Sequence, residues 1–174
     1  VYKRQGWCFM TYQRSASSTA IVSAPAEDVF GFLDDPTVLG AHMEKPSVMM
    51  LGATMRYDLD DAKGRAVGSV IKMSGSVLGI GLYLEEVVTD RLPPLRKTWE
   101  TRGPVRLFVI GSYRMGFRIE PAARSCRVEV LIEYDLPDGL LGGLLGRLLG
   151  RTYANWCVRK MATEAYQFLS LIHI

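Results

Sequence analysis

Two hydrophobic periods divide the chain. From Met55 to Tyr134 apolar residues recur at alternate positions, and from Ala154 to Phe168 they recur at three- and four-residue steps. The first period belongs to strands with one buried and one wet face, the second to an amphipathic helix. Ser15–Ser23 is rich in small and β-branched residues and reads as an opening strand. Pro25, followed by Glu27 and Asp28, marks a helix start, where acids meet the partial positive charge of the first turn. Asp34-Asp35-Pro36 ends that helix, and a second short helix is predicted over Thr37–His42.

The strand region then runs as a meander. Met55, Tyr57 and Leu59 alternate with polar neighbours, and the Asp- and Gly-rich turn Asp60–Gly64 follows. Val67, Ser69, Ile71 and Met73 share the next face. A strand over Leu82–Thr89 ends before Pro93-Pro94, and Lys97, Trp99 and Thr101 share one side of the strand after it. Leu107–Ile119 reads as one long strand with Leu107, Val109, Tyr113, Met115, Phe117 and Ile119 on one face. Cys126, Val128, Val130, Ile132 and Tyr134 form the inward face of the last. Beyond Pro137-Asp138-Gly139, Ala154, Cys157, Val158, Met161, Ala165 and Phe168 make one apolar helical stripe. The expected class is α+β: a curved antiparallel sheet of about six to seven strands around a long C-terminal helix, with two short helices after the first strand.

Composition changes this picture little, except at the ends. Val1-Tyr2-Lys3-Arg4-Gln5 and Leu169-Ser170-Leu171-Ile172-His173 are translations of one short DNA element read in opposite orientations, which resembles a sequencing adaptor. On that reading residues 10–168 form the single domain, with Met10 as its start, and 1–5 and 169–174 are foreign. The chain carries 21 basic and 18 acidic side chains. Without Lys3 and Arg4 the balance is 19 to 18, which removes the basis for a nucleic-acid partner. Cys8, Cys126 and Cys157 have no metal-ligand or paired spacing, so a reduced, cytoplasmic protein is expected. No apolar run is long enough to span a bilayer.

The segments VSAPAEDVFGFLDDP (22–36), VVTDRLPPLRKTWET (87–101), GFRIEP (116–121), IEYDLP (132–137) and LLGRTYANWCVRKM (148–161) occur in an order that resembles the START-like superfamily. That group includes polyketide cyclases and dehydrases, lipid-transfer domains and pollen-allergen-like ligand binders. The resemblance is closest to a bacterial polyketide-cyclase-like subgroup, and it implies a helix-grip fold with an apolar ligand cavity.

Chemistry candidates are few. His42 is the one histidine outside the suspect tail and has no partner at a recognisable spacing, so a surface or capping role is expected. Neither a zinc site nor a Ser-His-Asp set can be assembled, and no cofactor is expected. Glu85 and Glu86 are strand neighbours that point to opposite faces and cannot act together; the pair is read as a solvated edge. Arg114 and Arg118 share the wet face and are expected to pair with acids across the sheet.

The inward residues carry more information. Met55, Tyr57, Met73, Trp99, Val109, Tyr113, Val130 and Tyr134 on the sheet should face Ala154, Cys157 and Met161 on the helix. A packed core and an open pocket both fit such a set. The small side of the helix at Gly150, Ala154 and Cys157, and the mix of phenols and thioethers with aliphatics, favour some open space. The resemblance implies the pocket. Gly139–Gly150, with its three Leu-Leu pairs, reads as a mobile lead-in that gates or packs on the sheet mouth rather than contacting a membrane. The expected function is binding or carriage of a small hydrophobic molecule (a lipid, quinone or polyketide-like compound) by a monomer or weak homodimer. A cyclase/dehydrase-type enzyme using the same cavity and a protein-interaction module are the rivals.

Overall fold

The computed structural model describes residues 12–39, 54–77 and 79–172. His42, the C-terminal part of the predicted second helix, Cys8 and the N-terminal adaptor-like segment lie outside them. Among the described residues seven strands and three helices follow in the order β1 (Arg14–Val22), α1 (Ala26–Asp34), α2 (Pro36–Leu39), β2 (Thr54–Leu59), β3 (Val70–Val77), β4 (Ile80–Leu92), β5 (Arg96–Arg106), β6 (Tyr113–Pro121), β7 (Cys126–Tyr134) and α3 (Leu140–Ile172). All seven strands form one antiparallel sheet in the order β1-β7-β6-β5-β4-β3-β2. Strands β2 to β7 are a simple meander, and β1 closes onto β7. This is the α+β helix-grip arrangement that the alternation predicts.

The pleat explains which side becomes core. On β7, Cys126, Val128, Val130, Ile132 and Tyr134 are buried while Arg127, Glu129 and Leu131 are exposed. Helix α3 lies over β1 and β7 and meets α1. Its stripe Ala154, Val158, Met161, Ala162 and Ala165 continues to Leu169, which is buried in the same core. Phe168, predicted in that stripe, is half exposed and instead packs on Phe32 with ring centroids 4.9 Å apart.

Helix α1 starts at Ala26, with Pro25 as the extended residue just before it and not the first helical position, and buries Val29, Phe30 and Leu33. Its C-terminal end is fixed by charge. The Asp34 carboxylate accepts from Arg91 Nε and Nη2 at 3.1 and 2.8 Å and from Lys97 Nζ at 2.9 Å. Lys97 Nζ also donates to the Asp34 carbonyl at 2.7 Å, capping a C-terminal carbonyl that no helical N–H reaches. Burial alone would raise the Asp34 carboxyl, but these two cations outweigh it and hold it below its usual range.

Two strand boundaries differ from the pattern. Strand β3 begins at Val70, and Val67 lies in an exposed turn. There the Asp60 carboxylate gathers the Ser69 hydroxyl at 2.6 Å and the Val70 N–H at 2.8 Å. Local side-chain bonding of this kind competes with the ladder. The predicted strand Leu107–Ile119 is also broken: Leu107–Ser112 is irregular and β6 begins only at Tyr113. Ile110, not Val109, is buried. Gly111 allows the close approach, because a Cβ there would stand 2.7 Å from the Leu136 carbonyl oxygen.

That irregular segment receives the N-terminal half of α3. The stretch expected to be a mobile lead-in is helical from Leu140, because tertiary contact overrides the low helix propensity of glycine. A Cβ on Gly146 would meet Pro137 Cδ at 2.7 Å, and one on Gly150 would meet the Val109 carbonyl oxygen at 2.9 Å. Gly143 is different: the nearest atom to its Cβ position is 3.9 Å away. Gly143→Ala should therefore raise stability by about 1 kcal/mol. Gly146→Val should lower it by about 1–3 kcal/mol through overpacking. Chemical denaturation of the two variants checks this, and equal shifts would show that α3 is not seated on its glycines.

Candidate functional site

Between the concave sheet face and α3 lies a cavity with about 80 Å³ of room for the centre of a water-sized molecule. That exceeds the roughly 10–15 Å³ one water needs, so the space can take an organic group. Seven of the eleven residues named from the sequence line it: Met55, Tyr57, Met73, Trp99, Tyr113, Cys157 and Met161. The other four do not, and each has a packing reason. Val109 lies in the irregular segment, with its carbonyl under Gly146 and Gly150. Val130 and Ala154 are fully buried in close-packed core, and the Tyr134 ring fits beneath Gly150, 3.5 Å from where a Cβ would stand. Gly150 and Ala154 therefore seat the helix and do not open the cavity, whereas Cys157, the third small residue, lines it. The roof over the open space is made by Tyr153, Cys157 and Met161.

Sequence reasoning missed the polar part of the wall. Glu86, expected at a solvated edge, is only 5% exposed and lines the cavity. Its parity gives the signal: Leu82, Leu84, Glu86 and Val88 alternate as one inward set on β4. Glu85 takes the outward side, where Tyr83 Oη donates to it at 2.6 Å. The two carboxyls are thus on opposite faces, as strand geometry demands.

The Tyr113 hydroxyl, from β6, donates to Glu86 Oε1. Burial pushes the Glu86 carboxyl up to about 7, against the pull of Tyr113, Trp99 and the Lys97 ammonium. Tyr113 is raised well above the usual phenol range by the same burial and by the adjacent carboxylate. Lys97, also on the cavity wall, is lowered by burial while Asp34 opposes the shift. Tyr153 and Cys157 sit one helical turn apart; burial raises both, with the thiol pushed up to about 12. Such a thiol stays protonated and is a poor nucleophile.

Arg114 and Arg118 lie on the outer face of the sheet, as expected. Arg114 pairs with Glu100 across β5 and β6, its Nη2 3.1 Å from Oε2. Among the described residues no three His, Cys, Asp or Glu side chains are grouped to hold a metal ion. No described helix is long and apolar enough to cross a membrane.

The family model for polyketide cyclase/dehydrase and lipid transport matches residues 13–165. The chain belongs to this family. No curated protein matches it at the sequence level. Among solved structures, a protein of Thermus thermophilus is 14% identical with a TM-score of 0.66, covering 92% of this chain and 100% of its own. The ZhuI aromatase/cyclase of a Streptomyces species is 15% identical with a TM-score of 0.65, covering 90% and 93%. Norcoclaurine synthase of Thalictrum flavum, in complex with dopamine and hydroxybenzaldehyde, is 16% identical with a TM-score of 0.61, covering 92% and 88%. At these identities the likeness is one of fold.

Glu86 also gives the family member a pH signature. Its folded-state value is raised above that of an unfolded carboxyl, so the folded chain binds the extra proton between about pH 4.5 and 7. Stability should therefore fall as pH rises through that window and level off above it. The loss is up to about 3 kcal/mol by linkage. Glu86→Gln should abolish the decline, making the variant the more stable protein at pH 8 and nearly equal at pH 5. Denaturation midpoints of both proteins across pH 5–8 decide this; parallel curves would mean Glu86 is not buried as described.

Proposed function

We propose that the cavity binds a small apolar molecule carrying one hydrogen-bond donor, and that carriage or sequestration of that molecule is the function. The single observation that supports this most is the presence of the Glu86 carboxyl within a largely apolar wall, on which Lys97 is already held by Asp34. Burying a carboxyl costs stability, and the Tyr113 hydroxyl and Trp99 indole do not fill all the acceptor sites of that carboxyl. A ligand hydroxyl or amine would fill them, while Met55, Met73, Met115 and Met161 adapt to the rest of its shape. The family, described for polyketide cyclases, dehydrases and lipid transport, agrees with such cargo. The free, buried thiols of Cys126 and Cys157 support a reducing, cytoplasmic setting.

A second reading has its own support. A carboxyl at about 7 in a dry cavity, bonded to a phenol, is suited to general acid–base work near neutral pH. On this reading Glu86 moves a proton to or from a bound carbonyl compound, and the ring-forming or dehydrating chemistry of cyclases and dehydrases becomes the function.

Titration with 2-naphthol and 2-methoxynaphthalene separates donor recognition from simple apolar fit. The naphthol should bind about 10–100 times more tightly, as a hydrogen bond to an ionised group implies, and Glu86→Leu should erase the difference. Native mass spectrometry of protein purified from cells should show a co-purifying apolar molecule. A protein that neither retains nor takes up any ligand would overturn the reading. For the enzyme reading, Glu86→Gln must abolish turnover while ligand affinity stays within a few-fold; turnover unchanged in that variant ends it.

A further inference from the structure

The first turns of α3 present their large apolar side chains to solvent. Gly142, Gly146 and Gly150 face inward onto Pro137, Leu136 and the Val109 carbonyl. Leu140, Leu144 and Leu148 stand two residues away on the same helix, about 200° around the axis. They are correspondingly exposed, Leu140 at 97% and Leu148 at 67%, and Leu141 and Leu149 are exposed beside them. The usual order is inverted: small residues lie inside and leucines outside. A contiguous exposed leucine face marks a contact surface.

Charge says which contact. Between Asp138 and Glu164 the chain contains no acidic residue, whereas Arg147, Arg151 and Arg159 are spread along it; Lys160 is paired with Glu164 at 3.7 Å. Arg147 and Arg151 are exposed within and next to the leucine face. Leucines flanked by arginines, with Asp138 before the first turn as the nearest acid in sequence, fit the boundary between acyl chains and anionic headgroups. They fit a second copy of the same surface less well, because a two-fold contact would set arginine against arginine.

We infer that the Leu140–Arg151 face of α3 docks on an anionic lipid surface. The helix lies in the interface and does not cross it. Its leucines enter the acyl boundary, and Arg147 and Arg151 meet the headgroups. The same helix roofs the cavity through Tyr153, Cys157 and Met161, so docking brings the cavity roof to the membrane. The docking claim does not depend on what the cavity carries.

Vesicle flotation of the full chain tests it directly. The protein should float with vesicles of phosphatidylcholine and phosphatidylglycerol at a 7:3 ratio, and much less with pure phosphatidylcholine. Raising the salt should weaken binding. Arg147→Ala with Arg151→Ala should reduce partition roughly thirtyfold, and Leu144→Ser with Leu148→Ser should abolish it. Unchanged circular dichroism and thermal midpoints would show that both variants remain folded. Absence of binding to either vesicle overturns the proposal. So does salt-insensitive binding that is equal on both vesicles. A dimer lost in the leucine variant, without vesicle binding, assigns the face to a second copy and also overturns it.

Discussion

The close approach of α3 to the end of β7 and to the Leu107–Ser112 segment sets the geometry of the rest. Gly146 and Gly150 let the helix backbone come within contact of Pro137 and the Val109 carbonyl. Any Cβ at those places would hold the helix farther from the sheet. With its N-terminal half pinned there, the helix carries Ala154, Val158 and Ala165 down onto β1 and β7 as close-packed core. Tyr153, Cys157 and Met161 then lie on the flank that overhangs the concave face, where the curved sheet falls away. Cavity and packed core are thus two sides of one helix, separated by its rotation about its axis.

The opposite wall is organised by two buried ionisable groups handled in contrasting ways. Lys97 is paired with Asp34, which Arg91 also holds, and the three tie the end of α1 to β4 and β5. Pairing with good geometry outweighs burial for Asp34 and opposes it for Lys97. Glu86 touches neutral donors, Tyr113 and Trp99, and the Lys97 charge is the smallest influence on it, with Asp34 already holding that ammonium. Its carboxyl therefore moves toward neutrality. The charge network is complete without Glu86, and this separates it from Lys97 as the group on which the proposed ligand contact rests.

The fold was legible because it rests on period and punctuation, which are local. The alternation on β6 and β7 and the three- and four-residue steps of α3 report directly which face is buried. What was illegible depends on contacts between distant segments. Val109 and Ile110 cannot be ranked from strand parity, because an irregular segment set by Gly111 against Leu136 interrupts the pleat. The helicity of Leu140–Gly150 was hidden for the same reason, since its glycines are poor helix formers until Pro137 and Val109 receive them. Glu86 is a different case. Its inward parity was visible, and the general preference of carboxylates for water argued against it. Functional positions are where such preferences are expected to fail.

The two faces that could meet a partner differ in kind. The outer face of the sheet carries the Arg114–Glu100 and Arg96–Asp90 pairs, with Leu131 as an isolated exposed leucine among charges. Arg114 and Arg96 there are paired within the chain, and a partner would have to break those pairs to gain contact with them. The α3 face needs no such exchange. Its leucines lose only water, and no acid between Gly139 and Thr163 competes for Arg147 and Arg151. A protein-interaction module built on this fold would use the sheet face, whereas the surface that gains most from being covered lies on the helix that also roofs the cavity. The glycine stripe explains why both properties share one element: seating a helix through its small residues leaves its large ones to face outward.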